Sequence, residues 1–290
     1  MEILMLNYLK DADRLLAAAG WATRSAKCAA EYEPSEKEVR DMVKYSKEMK
    51  LSSVLDIPFF VFSLKDVSRS FTHQWVRYRI AAHMQQSLRF VNVSTDRFDW
   101  FVVPPSISKL GTRAVADYVK SQLNAAGTYR NLLKLGVPAE DARFALPIGT
   151  KTHITTAMNA EELLHVITQR CCSDAQWEIR TVSYALLTAG MIIAPMLFDG
   201  SGPYCVSEGV CRGSSKGKCR ACSEETLGKL RKIVDEKRLE FDSMEIGSWL
   251  EADLTSILGY SAPRELRKDV KKDVWQEVQL DVPVMLKIRK

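Results

Sequence analysis

Apolar and polar positions alternate in two periods along this chain, and the changes of period divide it into elements. The opening "EILMLNYL" reads as a strand. "DADRLLAAAGWATRSA" reads as a helix capped by Asp11, and "PSEKEVRDMVKYSKEM" as a second helix with Pro34 at its start. Phe59 to Leu64, "FFVFSL", is rich in β-formers and predicts another strand. Val67, Phe71, Trp75 and Tyr78 then fall at spacings of four, four and three, one face of a helix, with Gln74 and Arg77 off that stripe. The longest helical signal runs from Asn159 to Leu197 as two helices broken near Ser173, with Asn159 and Glu162 as a capping box. No internal repeat is visible.

The texture changes at Asp199, where "DGSGPYCVSEGVCRGSSKGKCRACSEE" is a glycine and cysteine loop. From Ser223 onward the chain carries 13 basic and 14 acidic residues, and this near-balance predicts a solvated, mainly helical appendage. The expected division is therefore 1–212 and 213–290, the second part holding the cysteine loop and the charged appendage. With 290 residues and 46% hydrophobic content, the chain suits a soluble protein with a sizeable core. No apolar run reaches the roughly 18 residues of a membrane span. Glu2, Lys10 and Asp11 stand where a signal peptide would be apolar, so a cytoplasmic protein without membrane partners is expected. Seven cysteines, including the adjacent Cys171 and Cys172, fit reduced thiols or metal ligands better than a disulfide framework. Cys219 and Cys222 form a Cys-x-x-Cys pair, but Cys205 and Cys211 are spaced more widely than is usual for zinc. No metal is expected, and these four are the candidates if one binds. The net charge of +5 permits an anionic ligand. Without a dense basic block interleaved with aromatics, no nucleic-acid partner is expected.

Residues 77–90, "RYRIAAHMQQSLRF", crowd polar groups into an otherwise apolar stretch. If the helix gives out near Tyr78, Arg77 and Arg79 flank it at period two, and Gln85, Ser87 and Arg89 repeat that period. Such an extended segment offers guanidinium forks, an amide and a hydroxyl to one polyanionic ligand, the chemistry of a phosphate and a planar base with carbonyl edges. A second polar set lies in "EDARFALPIGTKTHITTAMNAEELLHVITQRCCSDAQWEIR". There Arg143 precedes a Leu146-Pro147 step, while Asn159, His165 and Arg170 decorate a helix whose Leu163, Leu164 and Ile167 form the buried side. Taken alone, His165 is as readily a satisfied core histidine as a ligand. Spacing does not join the two sets.

Together they resemble the flavin-dependent thymidylate synthases, especially the archaeal branch. The family signature is Arg-His-Arg followed after seven residues by Ser; here Arg77-Tyr78-Arg79 is followed after seven by Ser87, then Arg89. "THQWVR", "EDARFALP", "MNAEEL" and "AQWEIR" stand in the family's order, and "LNYLKDADRLLAAA" is similar to its first strand and helix. The resemblance covers roughly residues 1 to 212. It implies an α/β (α+β) fold, a central mostly antiparallel sheet packed with helices, assembled as a homotetramer. It also implies reductive methylation of dUMP at C5, with methylenetetrahydrofolate as carbon donor and FAD, reduced by NADPH, as hydride carrier. By position Arg170 matches the arginine that polarises the uracil, a task of preorganised electrostatics. Gln74, Gln85, Ser87, Arg89 and Arg143 match residues that hold the nucleotide. Ser53, Arg77, Tyr78, Arg79, Asn159 and His165 match positions around the flavin.

The departures concern the flavin more than the nucleotide. Tyr78 replaces the signature's histidine, Ala82 a usual serine, and Glu161 an arginine that reaches the flavin. Lys50-Leu51-Ser52-Ser53 stands for the family's Gly-His-x-Ser, keeping its last hydroxyl. A carboxylate beside an anionic pyrophosphate is unfavourable by Coulomb's law. Two alternatives to the full synthase therefore stay open: a divergent paralogue acting on another pyrimidine nucleotide such as UMP, and a non-catalytic nucleotide-binding protein with a degraded flavin site.

Overall fold

The computed structural model describes residues 1–95, 99–214, 218–260 and 281–290, with backbone only at 218 and 219. Strand β1 (Glu2–Tyr8) buries Ile3 and Met5, and β2 (Phe59–Ser68) buries Phe60, Phe62 and Leu64, so alternate residues of both point into one core. The two run antiparallel, with Ile3 opposite Leu64 and Met5 opposite Phe62. β3 (Ala81–Gln85) and β4 (Lys151–Asn159) extend the sheet beyond β2, again antiparallel. On the other side of β1 lies β6 (Met285–Arg289) in parallel, followed by β5 (Trp249–Asp253) antiparallel to β6. The order is β3-β4-β2-β1-β6-β5, the mixed, mostly antiparallel sheet that the sequence led us to expect.

Seven longer helices among the described residues complete the fold: α1 (Ala12–Ala22), α2 (Glu36–Glu48), α3 (Arg69–Trp75), α4 (Thr112–Lys134), α5 (Ala160–Arg170), α6 (Trp177–Ile193) and α7 (Lys218–Ser243). Helix α6 is buried without a break from Thr181 to Ile192 and packs on β1, β6, α3, α5 and α7. A Cβ at Gly190 would sit 2.6 Å from the Phe198 ring, so glycine is what lets the short helix Pro195–Phe198 close onto α6. At the start of α6, the buried Glu178 carboxylate accepts the Ser68 amide at 2.7 Å and the Ser68 hydroxyl at 2.5 Å. Burial raises the Glu178 pKa, and Ser68 Oγ in turn accepts the Phe71 amide as the cap of α3. The chain just before Arg77 is thereby locked to the central helix. A smaller core of Trp100, Phe101, Val103, Val115, Val119 and Ala126 packs under α4. Among the described residues no helix is long and apolar enough to cross a membrane.

Several local expectations change. Asp11 precedes α1 but sits at φ 51° and its side chain makes no capping bond, because the left-handed backbone that Asp tolerates aims it elsewhere. Ser35, with Glu38 in a reciprocal box, starts α2. Val67 lies in β2 rather than on α3, yet it shares the buried side with Phe71, Trp75 and Tyr78. Only residues 81–85 of the polar stretch are a strand, since Ser87 to Phe90 form a turn closed by the Phe90 amide on the Ser87 carbonyl. The largest correction concerns the C-terminal part. Its long helix α7 is present, but β5 and β6 add to the sheet, and Leu250, Ala252, Leu286 and Ile288 are buried in the main core. These described elements belong to the main sheet and core rather than to a solvated appendage.

Candidate active site

Three polar groups surround the segment 74–89. The first forms where α5 meets Tyr78. Asn159 ends β4 and caps α5: its Oδ1 accepts the Glu162 amide at 2.9 Å and its Nδ2 donates to Asp56 Oδ1 at 2.5 Å. Both ends of the amide are thus engaged in holding the junction. His165 and Gln169, one turn apart, approach to 3.0 Å between side-chain nitrogens. The buried Tyr78 hydroxyl donates to Gln169 Oε1 at 3.0 Å and accepts from Arg170 Nε at 2.6 Å. Burial raises the Tyr78 pKa although Arg170 pulls it down, so the hydroxyl keeps its proton. The Arg170 guanidinium lies 5.5 Å from the Tyr78 ring centre, with the His165 ring edge-on at 6.1 Å. The terminal nitrogens of Arg170 make no hydrogen bond among the described residues, and the residue lines a cavity of about 310 Å³ with Gln169, Tyr204 and Arg212. An arginine so fixed through Nε presents a rigid fork to whatever enters.

The second group gathers arginines around the turn after β3. Arg89 pairs with Glu140 at 2.7 Å, and Arg143 Nε donates to the Glu140 carbonyl at 2.8 Å. Arg69 donates to the Gln86 carbonyl at 3.1 Å, while its own Nε is buried without a partner. Burial first, and Arg143 second, lower the Arg69 pKa. Gln85 Nε2 donates to Thr72 Oγ1 at 3.0 Å and Ser87 Oγ accepts the Arg89 amide at 3.2 Å. Gln74 is half-buried on α3. Arg69, Arg89 and Arg143 thus stand near one another with a single carboxylate, Glu140, among them. Sequence reading missed Arg69, which looks like an ordinary residue of a helix start, and Glu140, whose partner lies 51 positions away.

The third group faces a cleft of about 1110 Å³. His165, Leu164 and Glu161 line it from α5, Lys44 and Lys47 from α2. Glu161 accepts the Ser52 hydroxyl at 2.6 Å, and Ser53 is exposed on the short helix Ser52–Leu55 next to it. Arg77 and Arg79 are exposed, and neither guanidinium has a hydrogen-bond or ion-pair partner among the described residues. The lining holds seven basic against five acidic side chains, so its size and sign fit a dinucleotide carrying a pyrophosphate. Of the residues expected around the flavin, His165 lines this cleft, Ser53, Arg77 and Arg79 are exposed outside its lining, and Tyr78 and Asn159 are committed to internal bonds.

The structure thus unites Tyr78, His165 and Arg170, and separately Arg89 and Arg143. Within one chain it does not bring all the sequence-derived residues into one cavity: His165 lines the large cleft, Arg170 the small one, and Arg89 and Arg143 neither. Cys205 and Cys211 line the small cavity and Cys222 is exposed, while the Cys219 side chain lies outside the described residues. Among the described residues no three His, Cys, Asp or Glu side chains converge as a metal site.

Comparison with known proteins bears on the same residues. The family described as Thymidylate synthase complementing protein matches residues 4–196. Flavin-dependent thymidylate synthase of Sulfolobus acidocaldarius is 38% identical over 208 residues, 71% of this chain and 78% of that protein. The Pyrococcus furiosus protein of the same name is 33% identical over 82% of this chain and 99% of its own, and that of Geobacter sulfurreducens 44% identical over 53% and 66%. Among solved structures, a UMP/dUMP methylase, PolB, from Streptomyces cacaoi, bound with 5-Br dUMP, superposes with a TM-score of 0.62 at 18% identity, covering 68% of this chain and 92% of that one. That likeness supports the shared fold. With two thirds of its length inside the family match and motifs in the family's order, the chain belongs to the flavin-dependent thymidylate synthase family.

Proposed function

We propose that the protein methylates dUMP at C5, taking the carbon from methylenetetrahydrofolate and the reducing hydride from NADPH through FAD, as a homotetramer in the cytoplasm. The observation that carries this reading is the Arg170 fork, held through Nε by a buried, protonated Tyr78 and open at its terminal nitrogens. Two parallel donors on a uracil carbonyl edge draw electron density toward O4 and stabilise the charge that appears as C5 attacks. Arg69 is an addition to the expected nucleotide set. With Arg89 and Arg143 it would hold the nucleotide phosphate, and Gln74, Gln85 and Ser87 would meet the base and sugar edges. FAD, when bound, would supply the hydride, and Ser53, Arg77, Arg79 and His165 would be the residues that hold it. Assembly of subunits is the means by which the three polar groups of different chains would share one site. Residues 1–212 carry these groups, and beyond them β5 and β6 extend the sheet while α7 lines the cleft.

The direct test is formation of dTMP from dUMP with FAD, NADPH and methylenetetrahydrofolate, run beside UMP because no ribose-reading residue is evident. Turnover of UMP alone would favour the paralogue reading, and no flavin uptake the non-catalytic one. The phosphate assignment is tested by calorimetry. Arg89→Ala and Arg143→Ala should each weaken dUMP binding by about 2 kcal/mol, roughly thirtyfold, without loss of fold. Arg89 should show the smaller loss, since its side chain is 59% exposed and already shared with Glu140. Unchanged affinity in both variants would remove the assignment.

A further inference from the structure

Helices α2 and α7 both line the large cleft, and each turns a basic face to it. On α2, Arg40, Lys44 and Lys47 recur at spacings of four and three; on α7, Arg231 and Arg238 stand seven apart, two turns of one face. Arg231 and Arg238 are exposed, and neither makes a hydrogen bond or ion pair among the described residues. Two of the five acidic side chains of the cleft are paired with basic side chains of the same lining. Glu208 pairs with Arg212 at 2.8 Å and Lys50 at 3.5 Å, and Glu48 lies 3.9 Å from Lys44. Glu161 keeps its carboxylate in the cleft through Ser52, and Asp235 sits between the two arginines of α7. Between the basic faces, Val43, Leu55, Leu164, Met191 and Met196 give an apolar surface suited to a flat ring.

We infer that α7, which lies beyond the family match ending at residue 196, supplies Arg231 and Arg238 as a pyrophosphate clamp for the flavin dinucleotide and so offsets the charge of Glu161. This inference rests on the flavin reading above. Two guanidiniums two turns apart suit two linked phosphates better than one, since each fork takes a separate pair of oxygens. The negative charge that Glu161 brings to the cleft is thereby offset from a different element.

The test is a fluorescence-quenching titration of FAD into the full-length protein. Arg231→Glu with Arg238→Glu should weaken FAD binding by at least about tenfold. Lys229→Glu with Lys232→Glu changes the net charge equally on the outer face of the same helix and should change it less than about threefold. Glu161→Arg should recover most of the loss in the α7 arginine variant. Equal losses in the two double variants, or none in either, would overturn the clamp while leaving the flavin reading in place. Absence of FAD binding by the unmodified protein would overturn both.

Discussion

Arg170→Ala is expected to abolish dTMP formation, lowering kcat by about 10²- to 10³-fold, while dUMP affinity falls by only a few-fold. The difference follows from when the charge appears. The ground-state uracil is neutral, and the phosphate is held by other arginines, so most of what Arg170 contributes is realised as C5 attacks and density moves through O4. Arg170→Lys keeps a positive charge but loses the planar fork, and should rescue little. Tyr78→Phe separates positioning from contact with the substrate. It keeps the ring under the guanidinium at 5.5 Å but removes the 2.6 Å bond that fixes Nε. A loss of turnover between wild type and Arg170→Ala, with unchanged dUMP affinity, is the outcome expected of a positioning residue. Near-normal turnover in Arg170→Ala would contradict the mechanism.

How far the sequence spoke depended on whether the signal was local. The β2 segment "FFVFSL", the break between α5 and α6 near Ser173, and the Asn159 cap were all legible, because each is decided by neighbours within a turn or a pleat. The candidate site could be proposed from residue types, since a cluster of arginines in an apolar stretch stands out. Its pairings were not. That Tyr78 serves Arg170, or that Arg89 and Arg143 share Glu140, depends on the tertiary path between positions far apart in the chain. Helix α7 hides its arginines for a similar reason: in a segment dense with both charges, a two-turn spacing carries no information until the opposite wall is known. The strands β5 and β6 were missed because each is five residues long and embedded in charge, with burial at only two positions apiece. Their alternation is too short to stand out, and β6 finds its partner β1 at the other end of the chain.

Those two short strands support the prediction with the largest effect on stability. Deleting residues 282–290 is expected to leave the protein insoluble or without a cooperative melt. β6 lies between β1 and β5, so its loss strips the parallel ladder from β1 and the antiparallel one from β5 at once. Both become edges with unpaired amides and carbonyls over an exposed core, the arrangement that invites edge-to-edge aggregation. Val284, Leu286 and Ile288 are at most 1% exposed, and the chain's first amino group donates to the Pro283 carbonyl at 3.1 Å. A subtler variant keeps the backbone ladder and tests the packing alone. Ile288→Ala should cost about 2–5 kcal/mol, lowering the melting temperature by roughly 5–15 °C, because Ile288 is fully buried opposite Met5 in the main core. Leu239→Ala, at an exposed position of α7, is the matched control and should change it by little. A truncated protein that melts cooperatively at the wild-type temperature would restore the appendage that charge density alone suggested.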